Sequence, residues 1–110
     1  MTKLNLSPAA AALLRALLAR AGVGRHRIFL TQFRSIDWQS LTFVGERHEM
    51  ELRIPAPNAQ SLVERLIYGV SDTEFAIPRQ IVADIGMDRH PIDNADGSIS
   101  VFVEALTIAE

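Results

Sequence analysis

At 110 residues, 48% of them hydrophobic and 22% charged, the chain is sized for one domain, too short for two cores and too apolar for a disordered polymer. It has no cysteine, which excludes disulfides, thiolate nucleophiles and cysteine-type zinc sites, and its only lysine is Lys3, which leaves little scope for Schiff-base chemistry. The net charge of −2 conceals a division, because Lys3, Arg15, Arg20, Arg25, Arg27 and Arg34 all precede Asp37, the first acidic residue. Such a split fits an anionic partner for the N-terminal third. It fits equally well a neutralisation of one part of the chain by the other, within a fold or across a dimer.

Ser7-Pro8 opens a helix, with Ser7 as N-cap acceptor and Pro8 at the first helical position, where its missing N–H costs nothing. The helix runs to about Ala21 and is ended by Gly22 and Gly24. Ala10, Leu13, Leu14, Leu17, Leu18 and Ala21 gather on one face at helical spacing. Ala9, Ala12, Ala16 and Ala19 fill much of the opposite side, so the helix either tolerates alanine in water or packs on a second surface. Arg15 and Arg20 interrupt the apolar run, and no stretch reaches the roughly 18 uncharged apolar residues of a membrane span. The chain reads as cytoplasmic.

Strands are expected at about His26–Phe33 and Trp38–Phe43, joined by a linker Arg34–Asp37, and at about Glu46–Ile54. The last of these alternates cleanly, with His48, Met50, Leu52 and Ile54 on one side and Glu49, Glu51 and Arg53 on the other. With Val44-Gly45 as a two-residue loop, Leu41 falls opposite His48 and Phe43 opposite Glu46, on a common core face. Pro55-Ala56-Pro57 breaks the strand, and Asn58 can cap a second helix that ends near Tyr68-Gly69 and buries Leu62, Val63, Leu66 and Ile67.

A strand at about Ile77–Met87 places Ile81, Ala83, Ile85 and Met87 opposite Val82 and Asp84. After a polar loop, a final strand at about Ser98–Ile108 has apolar residues of both parities, the pattern of a strand covered on both faces. The expected fold is therefore a single α+β domain over residues 1–110, with two helices on a five-stranded, mostly antiparallel sheet in the order α-β-β-β-α-β-β. Two helices shield one face of such a sheet, so Val82, Phe102, Leu106 and Ile108 call for a partner, and a homodimer supplies it most simply.

Candidate chemistry centres on His48, which shares a strand face with Glu46; carboxylate-x-histidine spacing suits an acid–base pair or two metal ligands. Asp88-Arg89-His90 repeats the spacing, but Asp88 falls on the opposite parity from the apolar face, and no recognised metal motif is present, so no metal and no cofactor is assigned. Arg79 shares parity with Ile77 and Ile81 and is expected to point inward, where it needs a carboxylate or an anionic ligand. Three functional classes follow. The first is a non-enzymatic, self-associating interaction or ligand-binding module. The second is a small-acid-binding protein or enzyme with a pocket around His48, Glu46 and Arg79. The third binds nucleic acid through the basic N-terminal third. None of the three involves a membrane.

Overall fold

A computed structural model describes residues 6–22 and 27–110; Lys3, Gly24, Arg25 and the expected strand start at His26 lie outside them. The opening helix, α1 (Pro8–Ala21), forms as its punctuation dictates. The Ser7 hydroxyl accepts the Ala10 N–H at 3.1 Å, and Gly22 closes the helix at φ +72°, donating its N–H to the Ala19 carbonyl. Ala9 and Ala12 are buried together with Leu13, Leu17 and Leu18, while Ala19 stays exposed. Part of the alanine flank is thus a second packing surface, since α1 lies against both the second helix, α2 (Ala59–Ile67), and the short strand β3 (Ala76–Ile77). Asn58 stands before α2 with φ +67° but makes no side-chain cap; it serves as a left-handed turn residue rather than a capping acceptor.

The fold class is the expected α+β, with both helices packed on an antiparallel sheet. Its long strands are β1 (Phe29–Gln39), β2 (Val44–Ile54), β4 (Gln80–Met87) and β6 (Ile99–Ala109), and the two-residue β3 and β5 (Ile92–Asp93) bring the count among the described residues to six. The spatial order is β1-β2-β6-β4-β3, with β5 also paired to β6. The core lies between sheet and helices: Met50, Leu52 and Ile54 of β2 and Val101, Val103 and Ala105 of β6 meet Leu13, Leu17, Leu62 and Leu66. No helix among the described residues is long and apolar enough to cross a membrane.

Three local differences from the expected strands have physical causes. First, Arg34–Asp37 is not a linker but the middle of β1, a single strand where two were expected. Ser35 takes an inward place there, so the apolar alternation that marks a strand is missing. Second, the β1–β2 hairpin turns at Leu41-Thr42, where the Ser40 N–H donates to the Phe43 carbonyl and the Ser40 hydroxyl accepts the Phe43 N–H at 3.1 Å. The register is consequently Ser35↔His48 and Asp37↔Glu46, and Leu41 and Phe43 are 104% and 52% exposed instead of lying in the core. Third, bulges occur in β1 between Leu30 and Gln32 and in β4 between Val82 and Asp84. An extra residue reverses side-chain parity, so Val82 packs against the core while Ile81 is exposed.

Gly45, expected in a turn, lies in β2 between Trp38 and Ile108. A Cβ there would stand 2.0 Å from the Thr107 carbonyl oxygen, so only glycine lets the two backbones approach this closely. Gly45→Ala is expected to lower stability by about 2–3 kcal/mol, the cost of forcing matter into a packed site. Denaturant unfolding measures this, with the expected loss appearing as a lower midpoint at unchanged slope.

Candidate functional site

His48 is placed by β2 on the helix side of the sheet and is 1% exposed. It lies opposite Ser35 on β1 and Ala105 on β6, and its ring reaches hydroxyls on both flanking strands. Nδ1 lies 2.8 Å from Ser35 Oγ on β1, and Nε2 lies 2.8 Å from Thr107 Oγ1 on β6. A neutral imidazole needs one acceptor for its N–H and one donor for its bare nitrogen, and two rotatable hydroxyls meet both needs in either tautomer. The buried ring is fully satisfied inside the sheet.

That arrangement suits a neutral imidazole better than an imidazolium. Burial pushes the His48 pKa below its ordinary value, against a smaller upward pull from the Glu46 carboxylate. A serine–histidine pair that generates a nucleophile needs a third group to stabilise the imidazolium, a part a carboxylate plays well and a threonine hydroxyl does not. Among the described residues, Glu46 makes no hydrogen bond to His48.

Arg79 is not directed inward. Pro78-Arg79 forms the two-residue turn between β3 and β4, with Ile77 paired to Gln80. Pro78 supplies a fixed φ, and Arg79 takes φ +61°, leaving its side chain exposed. Strand parity misplaced this residue because the strand is interrupted there by a turn. His90 and Asp88, the other carboxylate-x-histidine pair, are exposed beyond the end of β4, where the Asp88 carboxylate accepts from Arg89 at 3.1 Å.

A surface hollow of about 560 Å³ is elsewhere. It lies over the helix-free side of the sheet and is lined by Gln32, Arg34, Glu49, Glu51, Arg89 and Phe102, among others, but not by His48, Glu46 or Arg79. The Arg89 guanidinium sits 4.6 Å from the Phe102 ring centroid, a cation–π contact at its edge. Among the described residues, no group of three or more histidine or carboxylate side chains is placed to hold a metal ion.

Register divides this rear face into two ends. The row Trp38–Gly45–Ile108–Ile81 carries no charge, and the next row contains Ile36 and Leu106 alongside Arg47 and Asp84. Beyond them, Arg34–Glu49–Glu104 and Gln32–Glu51–Phe102 form a charged end, tied by an Arg47–Glu104 ion pair at 2.7 Å. The uncharged end continues into the bare hairpin residues Leu41 and Phe43, while Val44, next to Gly45 in the strand, is exposed on the opposite side.

The basic N-terminal third is not neutralised by direct ion pairs among the described residues. Arg20 donates to the Tyr68 carbonyl and Arg27 to the Pro57 carbonyl, while the ion pairs that do form use Arg47, Arg53 and Arg89. Arg15 and Arg20 belong to α1, whereas Arg34 alternates with Phe33 and Ser35 and therefore faces the rear. Among the described residues, Arg15 and Arg20 are thus separated from Arg34, on opposite sides of the molecule.

Comparisons with protein-family models, with curated proteins and with solved structures found no match.

The buried imidazole makes stability depend on pH. The folded-state pKa of His48 lies below the unfolded value of 6.5, so in the window beneath 6.5 the unfolded chain binds the extra proton. This contribution is fully present above pH 6.5 and is lost as pH falls towards the folded-state pKa, with a limiting slope of about 1.4 kcal/mol per pH unit. Chemical unfolding from pH 7.5 downward should show this loss in the wild type, and His48→Gln should flatten it while lowering stability at neutral pH by about 1–3 kcal/mol.

Proposed function

We propose that the protein is a non-enzymatic, self-associating interaction module that works as a homodimer. The observation that carries this reading is where the exposed apolar surface lies. Among the described residues, five of the eight exposed large hydrophobics (Phe29, Ile36, Leu41, Phe43 and Val44) fall on β1 and its hairpin with β2. Scattered exposed leucines are normal for a monomer, but apolar residues gathered on one supersecondary unit mark an interaction surface. Most soluble oligomers are symmetric assemblies of identical chains, which makes a second copy the simplest cover.

The reading as a small-acid-binding protein or enzyme loses support on geometric grounds. Its three residues occupy a sealed position in the sheet, a half-buried neighbouring one and an exposed turn, and neither the 560 Å³ hollow on the rear face nor the one of about 550 Å³ between α1 and α2 adjoins them. Nucleic-acid binding is likewise disfavoured, because a phosphate backbone needs its cations along one surface.

Sedimentation equilibrium of the whole chain at micromolar concentration should give twice the monomer mass. Ile36→Asp, at a 39% exposed position, should leave the circular dichroism spectrum unchanged and weaken association at least about tenfold, the equivalent of 1.4 kcal/mol. A wild type that remains monomeric throughout the micromolar range is incompatible with the proposal.

A further inference from the structure

The two margins of the sheet are unlike. On one side the sheet ends in β3, two residues long and closed by the Pro78-Arg79 turn. On the other it ends in β1, eleven residues long and, among the described residues, paired on one side only. Proteins blunt such margins with short strands, prolines, charged side chains (lysine above all) or bulges. In β1 there is neither proline nor lysine, its charges are Arg34 and Asp37, of opposite sign, and its bulge lies near one end, between Leu30 and Gln32. From Gln32 to Gln39 the register is unbroken.

The direction of the free backbone groups follows from the hairpin. Because the Ser40 N–H bonds to the Phe43 carbonyl, alternation makes Trp38/Gly45, Ile36/Arg47 and Arg34/Glu49 the hydrogen-bonded pairs within the sheet. The N–H and C=O groups of Phe33, Ser35, Asp37 and Gln39 then point outward from the margin.

We infer that a second copy of this chain binds along β1, antiparallel and with the two-fold axis at Ile36, so that one sheet runs through both subunits. The inference rests on the self-association reading and specifies its surface. Ile36 is the midpoint of the regular stretch between the bulge and the turn at Ser40, so this centre gives the longest pairing. It sets Ser35 opposite Asp37 and Phe33 opposite Gln39, all four with outward backbone groups. On the rear face it sets Arg34 opposite Trp38, a guanidinium against the ring type that binds cations best. Neighbouring centres are worse. A centre at Arg34 or Asp37 sets like charges directly against each other, and one at Ser35 faces the Asp37 carboxylate with Phe33. Stacking two rear faces is also worse, since it would bury Arg34, Glu49 and Glu51 away from water.

The absence of native cysteine makes the test clean, because any disulfide reports the introduced residue. In this arrangement the two Ile36 residues form a non-hydrogen-bonded pair with Cα atoms about 4.5 Å apart, within disulfide range. The two Arg34 residues stand roughly 14 Å apart, beyond it. Under mild oxidation Ile36→Cys should therefore give covalent dimer and Arg34→Cys should not. A mixture of Ser35→Cys and Asp37→Cys proteins should form the heterodimer, which stacked rear faces cannot do because both side chains lie on the helix side. Asp37→Pro removes an outward N–H that the subunit's own sheet does not use, and should yield a folded monomer. A monomeric wild type would overturn both this inference and the self-association reading. A dimeric wild type whose Ile36→Cys form stays uncrosslinked, or whose folded Asp37→Pro form stays dimeric, would overturn the β1 arrangement alone.

Discussion

A sheet has two faces, and the described residues of this chain supply helices for one of them. That constraint organises the molecule. α1 and α2 cover the side on which Met50, Leu52, Val101 and Val103 converge, and Leu13, Leu17, Leu62, Val63 and Leu66 are buried in doing so. The rear face must then meet water or another molecule, and its residues reflect that ambiguity. Charged pairs such as Arg47–Glu104 keep one end solvated, while Trp38, Ile108 and Ile81 leave the other end without a charge. The central position of β6 softens the problem within the one chain. Flanked by β2 and β4, its rear residues Phe102, Leu106 and Ile108 are half-buried by their neighbours alone.

The side-chain series Ser35–His48–Thr107, with Thr107 diagonal to His48, shows how a core of this kind admits an imidazole. Each ring nitrogen has a hydroxyl on an adjacent strand, so the ring loses nothing by leaving water as long as it stays neutral. The series also crosses three strands through side chains, in addition to the backbone ladder. It ties the marginal strand β1 to the central β6 by way of β2.

Local punctuation was the most legible part of the sequence. Ser7, Pro8 and Gly22 act at short range, and α1 begins and ends where they place it. The alternation of β2 was equally plain, because the helices cover one of its faces and leave the other to water. Where the sequence misled, a residue had more than one physical use. Gly45 resembles a turn glycine, yet it is there for close approach of the backbones beside Thr107. Ser35 broke the apolar period because it serves His48, which split one strand into two on paper. Bulges at Thr31 and Ala83 leave no mark in composition, so the inward place of Val82 and the outward place of Ile81 could not be read. Of the candidate residues, burial of His48 was legible from its strand face, and Thr107 was traceable as the polar member of the inward series on β6. Arg79 was not, since parity fails across a turn.

The stub strand β3 has a further effect on how such a molecule can grow. With a two-residue margin on that side, a subunit joined along its long margin offers no second strand of useful length to a newcomer. Assembly of this sort closes on itself at two chains. The same architecture with long strands at both borders would string subunits into an unending ribbon.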